Sequence, residues 1–146
     1  MAKAVLKAGM EIDGFRLEER VHIGGMAALW RVTRPDIDMP MLMKVPFLDF
    51  EGDISMLVGF EVEQMIFAEV TGPHVPKFVA NGDFTVQPYI VMERVTGDTL
   101  LKRMANGPLP VDEVVSIGAR LARAVASLHE QHVLHLDLKL ANIIIR

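Results

Sequence analysis

The stretch His135-Leu136-Asp137-Leu138-Lys139-Leu140-Ala141-Asn142, HLDLKLAN, decides how the rest of this 146-residue chain is interpreted. It places a carboxylate, an ammonium group and a carboxamide close together, on Asp137, Lys139 and Asn142. In phosphoryl transfer a carboxylate can accept the proton of an attacking hydroxyl, a cation can neutralise the transferring group, and an amide oxygen can bind Mg²⁺. Taken alone, the motif also fits a surface loop with incidental polar residues that leads into a buried strand at 143–145.

The composition of the chain excludes several classes of function. Its 15 Lys and Arg residues against 19 Asp and Glu residues leave a net charge of −4, which argues against nucleic acid or an anionic membrane as partner. Cysteine is absent, so a disulfide framework and a thiolate metal site are excluded, and His22, His74 and His132 are interpreted as surface residues rather than zinc ligands. No signal peptide or membrane-spanning segment is recognisable, so we expect a cytoplasmic protein.

The first two thirds of the chain read mainly as strands. Strands are predicted at 15–21, 27–34 and 41–46, separated by the glycine turn HIGGM and the turn RPDIDMP. A loop is predicted at 47–59 and a helix at 60–70. Two further strands, PKFVA and FTVQPYIVMERV, flank the hairpin signal Asn81-Gly82-Asp83.

The last third reads as helical. A short helix is predicted at 99–105, and residues 112–131 carry apolar residues at the period of a helix face. The polar stripe of this second helix is narrow, so most of its surface is apolar. We expect a protein partner, or self-association, to cover this apolar surface. The fold class is therefore α+β, with an antiparallel sheet and one main helix followed by helices.

A glycine turn and a lysine precede the opening motif in the sequence. Backbone N–H groups at Gly24 and Gly25 could approach phosphate oxygens, because no side chain intervenes there. Lys44 lies among apolar residues on the strand MLMK and requires an anion nearby. Glu63 on the following helix is the candidate for that anion, and Glu61 is its rival.

These motifs, in this order from Phe15 to Arg146, resemble the serine/threonine protein kinases, and the style of GGM and HLDLK resembles the bacterial members. The resemblance implies an N-terminal extension at 1–14, a kinase N-lobe and hinge at 15–95 and the start of a C-lobe at 96–146. It implies ATP and Mg²⁺ as cofactors and a protein substrate with a Ser or Thr hydroxyl. The alternative of an aminoglycoside-type small-molecule kinase is disfavoured by Lys139 and by the hinge phrase PYIVMERVTGDTL.

The resemblance also implies a role for each matching residue. Asp137 and Lys139 are the implied catalytic residues, and Met92 is the implied gatekeeper of the nucleotide pocket. Asn142 is the implied Mg²⁺ ligand. The residues implied to bind the nucleotide are Gly24, Gly25, Leu29, Lys44, Glu63, Glu93, Val95 and Asn142. Ordinary strand packing is the alternative explanation for Leu29 and for the hinge positions.

The chain departs from the family pattern at several positions. His22 and Ala27 replace two glycines of the turn, Leu42 replaces a small residue that makes room for adenine, and Leu136 replaces an arginine. No Asp-Phe-Gly segment follows the motif, so the resemblance implies an incomplete kinase domain that ends after the catalytic loop. We expect these residues alone to transfer phosphate slowly or not at all. A pseudokinase-like interaction module is the alternative function.

Overall fold

A computed structural model describes residues 5–47 and 54–146 of the chain. These residues form two compact units, which are described separately. The first comprises the described part of Met1–Glu69 together with Pro76–Arg94, and the second comprises Val70–Val75 and Val95–Arg146. The chain therefore leaves the first unit, contributes a short segment to the second and returns.

The first unit is built on a six-stranded sheet in the order β1-β2-β3-β4-β6-β5. Every neighbouring pair is antiparallel, as the sequence predicts. The strands are β1 (Glu11–Ile12), β2 (Phe15–Ile23), β3 (Ala27–Arg34), β4 (Ile37–Pro46), β5 (Phe78–Asn81) and β6 (Ile90–Glu93).

Alternation along these strands separates the core from the opposite face of the sheet. Side chains of successive strand residues point to opposite faces, so one set can be buried while the other set stays accessible. In β4 the residues Met41, Met43 and Val45 are buried, whereas Leu42 and Lys44 are half-buried. The core cluster contains Phe15, Leu17, Ala28, Trp30, Val32, Met41, Met43, Val45, Tyr89 and Val91.

Strand β4 begins earlier than the sequence predicts. A turn was expected over RPDIDMP, but Ile37 already pairs with Arg34, and the strand runs on to Pro46. Asp36 accepts hydrogen bonds from Arg34 Nε at 2.6 Å and from Nη2 at 2.7 Å, which closes the turn within two residues. The predicted turn is therefore present at residues 35–36 but is shorter than expected, since residues 37–40 belong to β4.

Helix α1 spans Ile54–Glu69, so the prediction of a loop at 54–59 is wrong. Residues 48–53 of the expected loop lie outside the described residues. Gly59 suggested a break, but a glycine inside a helix costs only about 1 kcal/mol relative to alanine. Packing of the buried Phe60 and Gln64 fixes the helix against the sheet and outweighs that cost.

The strand predicted from Phe84 onward is also wrong over its first half, since β6 begins only at Ile90. Asp83 accepts hydrogen bonds from the backbone N–H of Thr85 at 2.7 Å and from its hydroxyl at 2.6 Å. These bonds lower the pKa of the Asp83 carboxyl and hold the chain in a turn. Pro88, which has no N–H to donate to a ladder, also delays pairing until Ile90.

The residues predicted as an N-terminal extension contribute to the sheet. Strand β1 pairs with β2 through Glu11 opposite Arg16 and Ile12 opposite Phe15. The apolar side chains of this segment that pack against the core cluster are Leu6, Met10 and Ile12. The segment is thus part of the hydrophobic core of the first unit.

The second unit contains the two predicted helices. Helix α2 (Leu100–Arg103) continues into a 3-10 turn at Met104–Asn106, and helix α3 spans Val111–Glu130. Strands β7 (Asp98–Thr99) and β8 (Ile144–Ile145) pair antiparallel, and a Cβ on Gly97 would lie 2.4 Å from the carbonyl oxygen of Ile145. Only glycine therefore allows this approach.

Helix α3 is partly uncovered, as its narrow polar stripe suggested. Ile117 is buried, but Val111, Val114 and Val115 are 80%, 53% and 64% exposed.

Within the described ranges, no helix combines the length and the apolar character needed to cross a bilayer.

Candidate active site

Lys44 and Glu63 meet on the accessible face of the sheet in the first unit. Lys44 Nζ lies 2.6 Å from Glu63 Oε1, and the two side chains are 28% and 50% exposed. The ring of Phe60 lies 5.8 Å from Lys44 Nζ, one helical turn before Glu63. Glu61, the rival anion, is an exposed residue of the same helix. The structure therefore brings together the two residues that the sequence pairs.

The glycine turn joins β2 to β3 and lies beside the open end of the β3–β4 hairpin, where Ala27 pairs with Pro46. The N–H of Gly24 donates to the carbonyl oxygen of Ala27 at 2.9 Å, which closes the turn. A Cβ on Gly25 would meet no atom within 4 Å, and the φ of Gly25 is not in the left-handed region. Neither packing nor backbone conformation requires glycine there, so the bare backbone at Gly25 is open to a ligand.

Two leucines flank Lys44 in the register of the sheet. Leu29 on β3 is the cross-strand partner of Lys44, and Leu42 precedes Lys44 by two residues on the same face of β4. Met92 on β6 is the cross-strand partner of Leu42. Leu29, Leu42 and Met92 are half-buried.

Hydrogen bonds within the first unit already use some of the backbone groups at the predicted hinge. The N–H of Glu93 donates to the carbonyl oxygen of Lys77 at 2.8 Å, and Glu93 Oε2 accepts from the N–H of Lys77 at 3.1 Å. The backbone group that Glu93 can offer a ligand is therefore its carbonyl oxygen. In the second unit, the backbone of Val95 makes no hydrogen bond to another described residue, so its N–H is available.

The motif HLDLKLAN forms a hydrogen-bonded loop in the second unit. Asn142 Nδ2 donates to the carbonyl oxygen of Asp137 at 2.9 Å and to its Oδ2 at 3.2 Å. Lys139 Nζ lies 3.4 Å from the same Oδ2, and His135 Nδ1 accepts from the N–H of Asp137 at 3.2 Å. A 3-10 turn at Leu140–Asn142 returns the carboxamide to the carboxylate. Asp137, Lys139 and Asn142 are thus brought together.

Leu136 occupies an unusual backbone conformation in this loop. Its φ is +62°, and its side chain is 88% exposed. The left-handed region costs an ordinary L-residue about 1–2 kcal/mol. An exposed leucine gains little from burial in return, so the surrounding loop holds the strain.

A clamp in the second unit was not found from the sequence. Gln131 Oε1 accepts from the N–H of Thr71 at 2.9 Å, and Gln131 Nε2 donates to the carbonyl oxygens of Thr71 at 2.9 Å and of Ser127 at 3.1 Å. Arg146 also donates to the carbonyl oxygen of Pro73 at 3.0 Å. No local pattern predicts the bonds to Thr71 and Pro73, because these residues lie 60 positions from Gln131 and 73 positions from Arg146 in sequence. Only the bond from Gln131 to Ser127 is local.

The protein kinase domain model matches residues 19–146 of the chain. The chain belongs to the protein kinase family.

Curated kinases and solved kinase structures agree with this assignment. The chain is 31% identical over 135 residues to a probable serine/threonine-protein kinase PknB of Lactococcus lactis, a match that covers 91% of this chain and 22% of the relative. It is 32% identical over 139 residues to the serine/threonine-protein kinase PknK of Mycobacterium tuberculosis, covering 90% of this chain and 12% of PknK. The crystal structure of the M. tuberculosis PknI kinase domain superposes with a TM-score of 0.80 at 26% identity, covering 96% of this chain and 57% of that structure.

The kinase-like α+β fold predicted from the sequence is confirmed by this likeness. The first unit holds the antiparallel sheet with its one main helix, and the second holds the next helices and the loop of Asp137. The chain spans about a fifth of the length of the PknB relative.

The loop of this kinase chain fits Mg²⁺ only in part. Asn142 commits its Nδ2 to Asp137, which leaves Oδ1 as a hard oxygen donor of the kind Mg²⁺ prefers. Among the described residues, no cluster of three or more His, Cys, Asp or Glu side chains could hold a metal. The metal would therefore depend on nucleotide phosphates for most of its ligands.

Proposed function

We propose that this chain is part of a serine/threonine protein kinase that transfers a phosphoryl group from ATP to a protein hydroxyl. The observation that carries the proposal is the Lys44–Glu63 ion pair of 2.6 Å. It lies on the accessible face of the sheet, beside the open glycine turn. A half-buried ammonium group held by a carboxylate is positioned to bind phosphate oxygens as a fixed point charge.

The residues of the first unit would bind and orient the nucleotide. The backbone at Gly24 and Gly25 would cover the phosphates, Lys44 would bind them, and Glu63 would hold Lys44 in place. Leu29, on the strand beside Lys44, would pack against the nucleotide. The carbonyl oxygen of Glu93 would accept a hydrogen bond from the base, and in the second unit the N–H of Val95 would donate one.

The residues of the loop would act on the protein substrate. Asp137 would accept the proton of the attacking Ser or Thr hydroxyl, and Lys139, 3.4 Å from its carboxylate, would stabilise charge on the transferring group. Asn142 would offer Oδ1 to Mg²⁺, which when bound neutralises the developing charge on the phosphates. Specificity for Ser and Thr is supported by Lys139 and by the names of the relatives.

Substitution of Asp137 tests the proposed phosphoryl transfer. In the full protein that contains this chain, Asp137→Asn should lower the rate of phosphoryl transfer to a Ser/Thr peptide by about 10²–10⁴-fold, since positioned acid-base groups contribute that much. Asp38→Asn, the same change at an exposed residue of β4, should leave the rate unchanged. Folded wild-type protein that neither binds Mg-ATP nor phosphorylates Ser or Thr would refute the proposal.

An interaction module remains the second candidate, and two observations favour it. Leu42 stands opposite Met92 at a position where the family has a small residue, and Val111, Val114 and Val115 are exposed on α3. Under this alternative, a protein partner would cover α3 and nucleotide would not bind. Mg-ATP titration with a thermal-shift readout separates the two functions.

Three expectations from the sequence stay predictions. They are the low activity of the 146 residues alone, self-association of the chain, and its cytoplasmic location.

A further inference from the structure

The register of the first unit fixes the direction in which a nucleotide can lie. The glycine turn sits at the end of the β3–β4 hairpin where Ala27 pairs with Pro46, and Phe47 N–H donates to the Met26 carbonyl oxygen at 2.9 Å. Lys44 is the next residue of β4 on the same face as Pro46. Phosphates held by the turn and by Lys44 would therefore occupy this end of the strand, and a nucleotide lying along the strand would place its base toward the other end.

Leu42 and Met92 lie at that other end. Leu42 lies on the same face of β4 two residues before Lys44, about 6.7 Å away along the strand. Met92 is directly opposite Leu42, and residues so paired have Cβ atoms about 4.5–5.5 Å apart. Two large, half-buried apolar side chains thus stand side by side where the base would lie, followed on β6 by Glu93 and its carbonyl oxygen.

The neighbouring positions do not explain a large residue at 42 through core packing. The core cluster is formed by the alternate residues Met41 and Met43, whose side chains are completely buried on the opposite face. Leu42 belongs to the sheet face that carries Lys44, where Glu63 of helix α1 meets Lys44. Its isobutyl group would therefore occupy volume in the proposed nucleotide site.

We propose that Leu42 determines nucleobase specificity in this site by narrowing the base pocket against Met92. The inference rests on the proposed nucleotide-binding function and extends it to the base. A bicyclic purine loses more contact area than a monocyclic pyrimidine when the pocket is shallow. The wild-type site therefore binds ATP weakly and prefers ATP over CTP only slightly, and a smaller residue at 42 restores purine preference.

The test measures dissociation constants of Mg-ATP and Mg-CTP by calorimetry for the full protein and two variants. Leu42→Ala should tighten ATP binding at least tenfold and CTP binding less than threefold, because removed methylene groups change pocket affinity by factors of about 10–200. Leu42→Val should give intermediate values for ATP. Leu101→Ala, the same truncation at a 54% exposed residue of α2, should leave both constants unchanged.

The outcomes separate this inference from the function on which it rests. Equal ATP affinity of wild type, Leu42→Val and Leu42→Ala, or an equal gain for ATP and CTP, would overturn the specificity role and leave the proposed function intact. Absence of nucleotide binding in folded wild type and in both variants would overturn the two together. Leu42→Val introduces a β-branched residue, which suits a strand, so the series can be measured even if Leu42→Ala unfolds.

Discussion

Lys44 and Glu63, nineteen positions apart, form an ion pair of 2.6 Å whose side chains are 28% and 50% exposed. Exposed ion pairs stabilise proteins by only about 0.2–1 kcal/mol, because water and salt screen them. Stability alone therefore gives little reason for the pair, and under the proposed function its role is to hold Lys44 in position for the phosphates. Glu63→Gln should leave the free energy of unfolding within about 1 kcal/mol of wild type while reducing phosphoryl transfer at least tenfold.

Glu61→Gln is the matched control for this prediction, since Glu61 is an exposed residue of the same helix. It should change neither the unfolding free energy nor the rate. Equal rates for Glu63→Gln and Glu61→Gln would show that the ion pair does not position Lys44.

Gln64 is a polar residue in a buried position of helix α1. It is 7% exposed, and its Oε1 finds no hydrogen-bond donor among the described residues. A buried polar atom without a partner costs about 1–3 kcal/mol. Gln64→Met, which keeps the length of the side chain, should raise the free energy of unfolding by about 1 kcal/mol in a urea titration. A loss of stability would indicate that the amide has a partner in solution.

The same substitution at Gln131 should have the opposite sign. Gln131 exchanges hydrogen bonds with the N–H and the carbonyl oxygen of Thr71 and donates to Ser127. Gln131→Met removes these bonds, and because Thr71 is exposed, water replaces part of the loss. The unfolding free energy should fall by about 1–2 kcal/mol. Equal effects of methionine at positions 64 and 131 would contradict at least one of the two predictions.

Tyr89 predicts a specific response to alkaline pH. Burial of the phenol, together with its hydrogen bond of 2.6 Å to Asp13, raises the pKa of Tyr89 well above its ordinary value. The stability from the neutral phenol is complete below the pKa of about 10 in the unfolded chain and is lost as pH rises from there toward the folded pKa. Tyr89 is the single tyrosine of the chain, so ultraviolet absorbance of tyrosinate reports it directly.

The Tyr89 phenol should therefore ionise at a higher pH in the native chain than in the chain denatured with guanidinium. Asp13→Asn should move the native midpoint downward, because the negative charge beside the phenol is removed. A native midpoint equal to that of the denatured chain would mean that the phenol is exposed in solution.

Leu136 predicts a stabilising substitution within the loop of Asp137. Asparagine tolerates the left-handed region better than leucine, so Leu136→Asn should raise the unfolding free energy by about 1 kcal/mol. Leu134→Asn is the control, since Leu134 is 65% exposed but has no left-handed backbone. If the two variants melt at the same temperature, the strain assigned to Leu136 is absent.

Local chemistry explains which parts of the fold were predictable. Alternation in β3 and β4 and the helical period of α3 are properties of neighbouring residues, so these elements were predicted within a few positions. The start of α1 was missed because burial of Phe60 and Gln64 outweighs the helix-breaking tendency of Gly59. The late start of β6 was missed because the Asp83 turn competes with strand formation.

The sequence by itself determined the set of chemical groups and their order: the open glycine turn, Lys44, Glu63, and the loop from Asp137 to Asn142. Spacing within that loop is short, so the covalent chain nearly dictates which groups meet. Only the tertiary structure decided the long-range partners, among them Gln131 for Thr71, Asp13 for Tyr89 and Met92 opposite Leu42. Such partners depend on how strands and helices pack, and packing free energy is a property of many residues together that no single short stretch encodes.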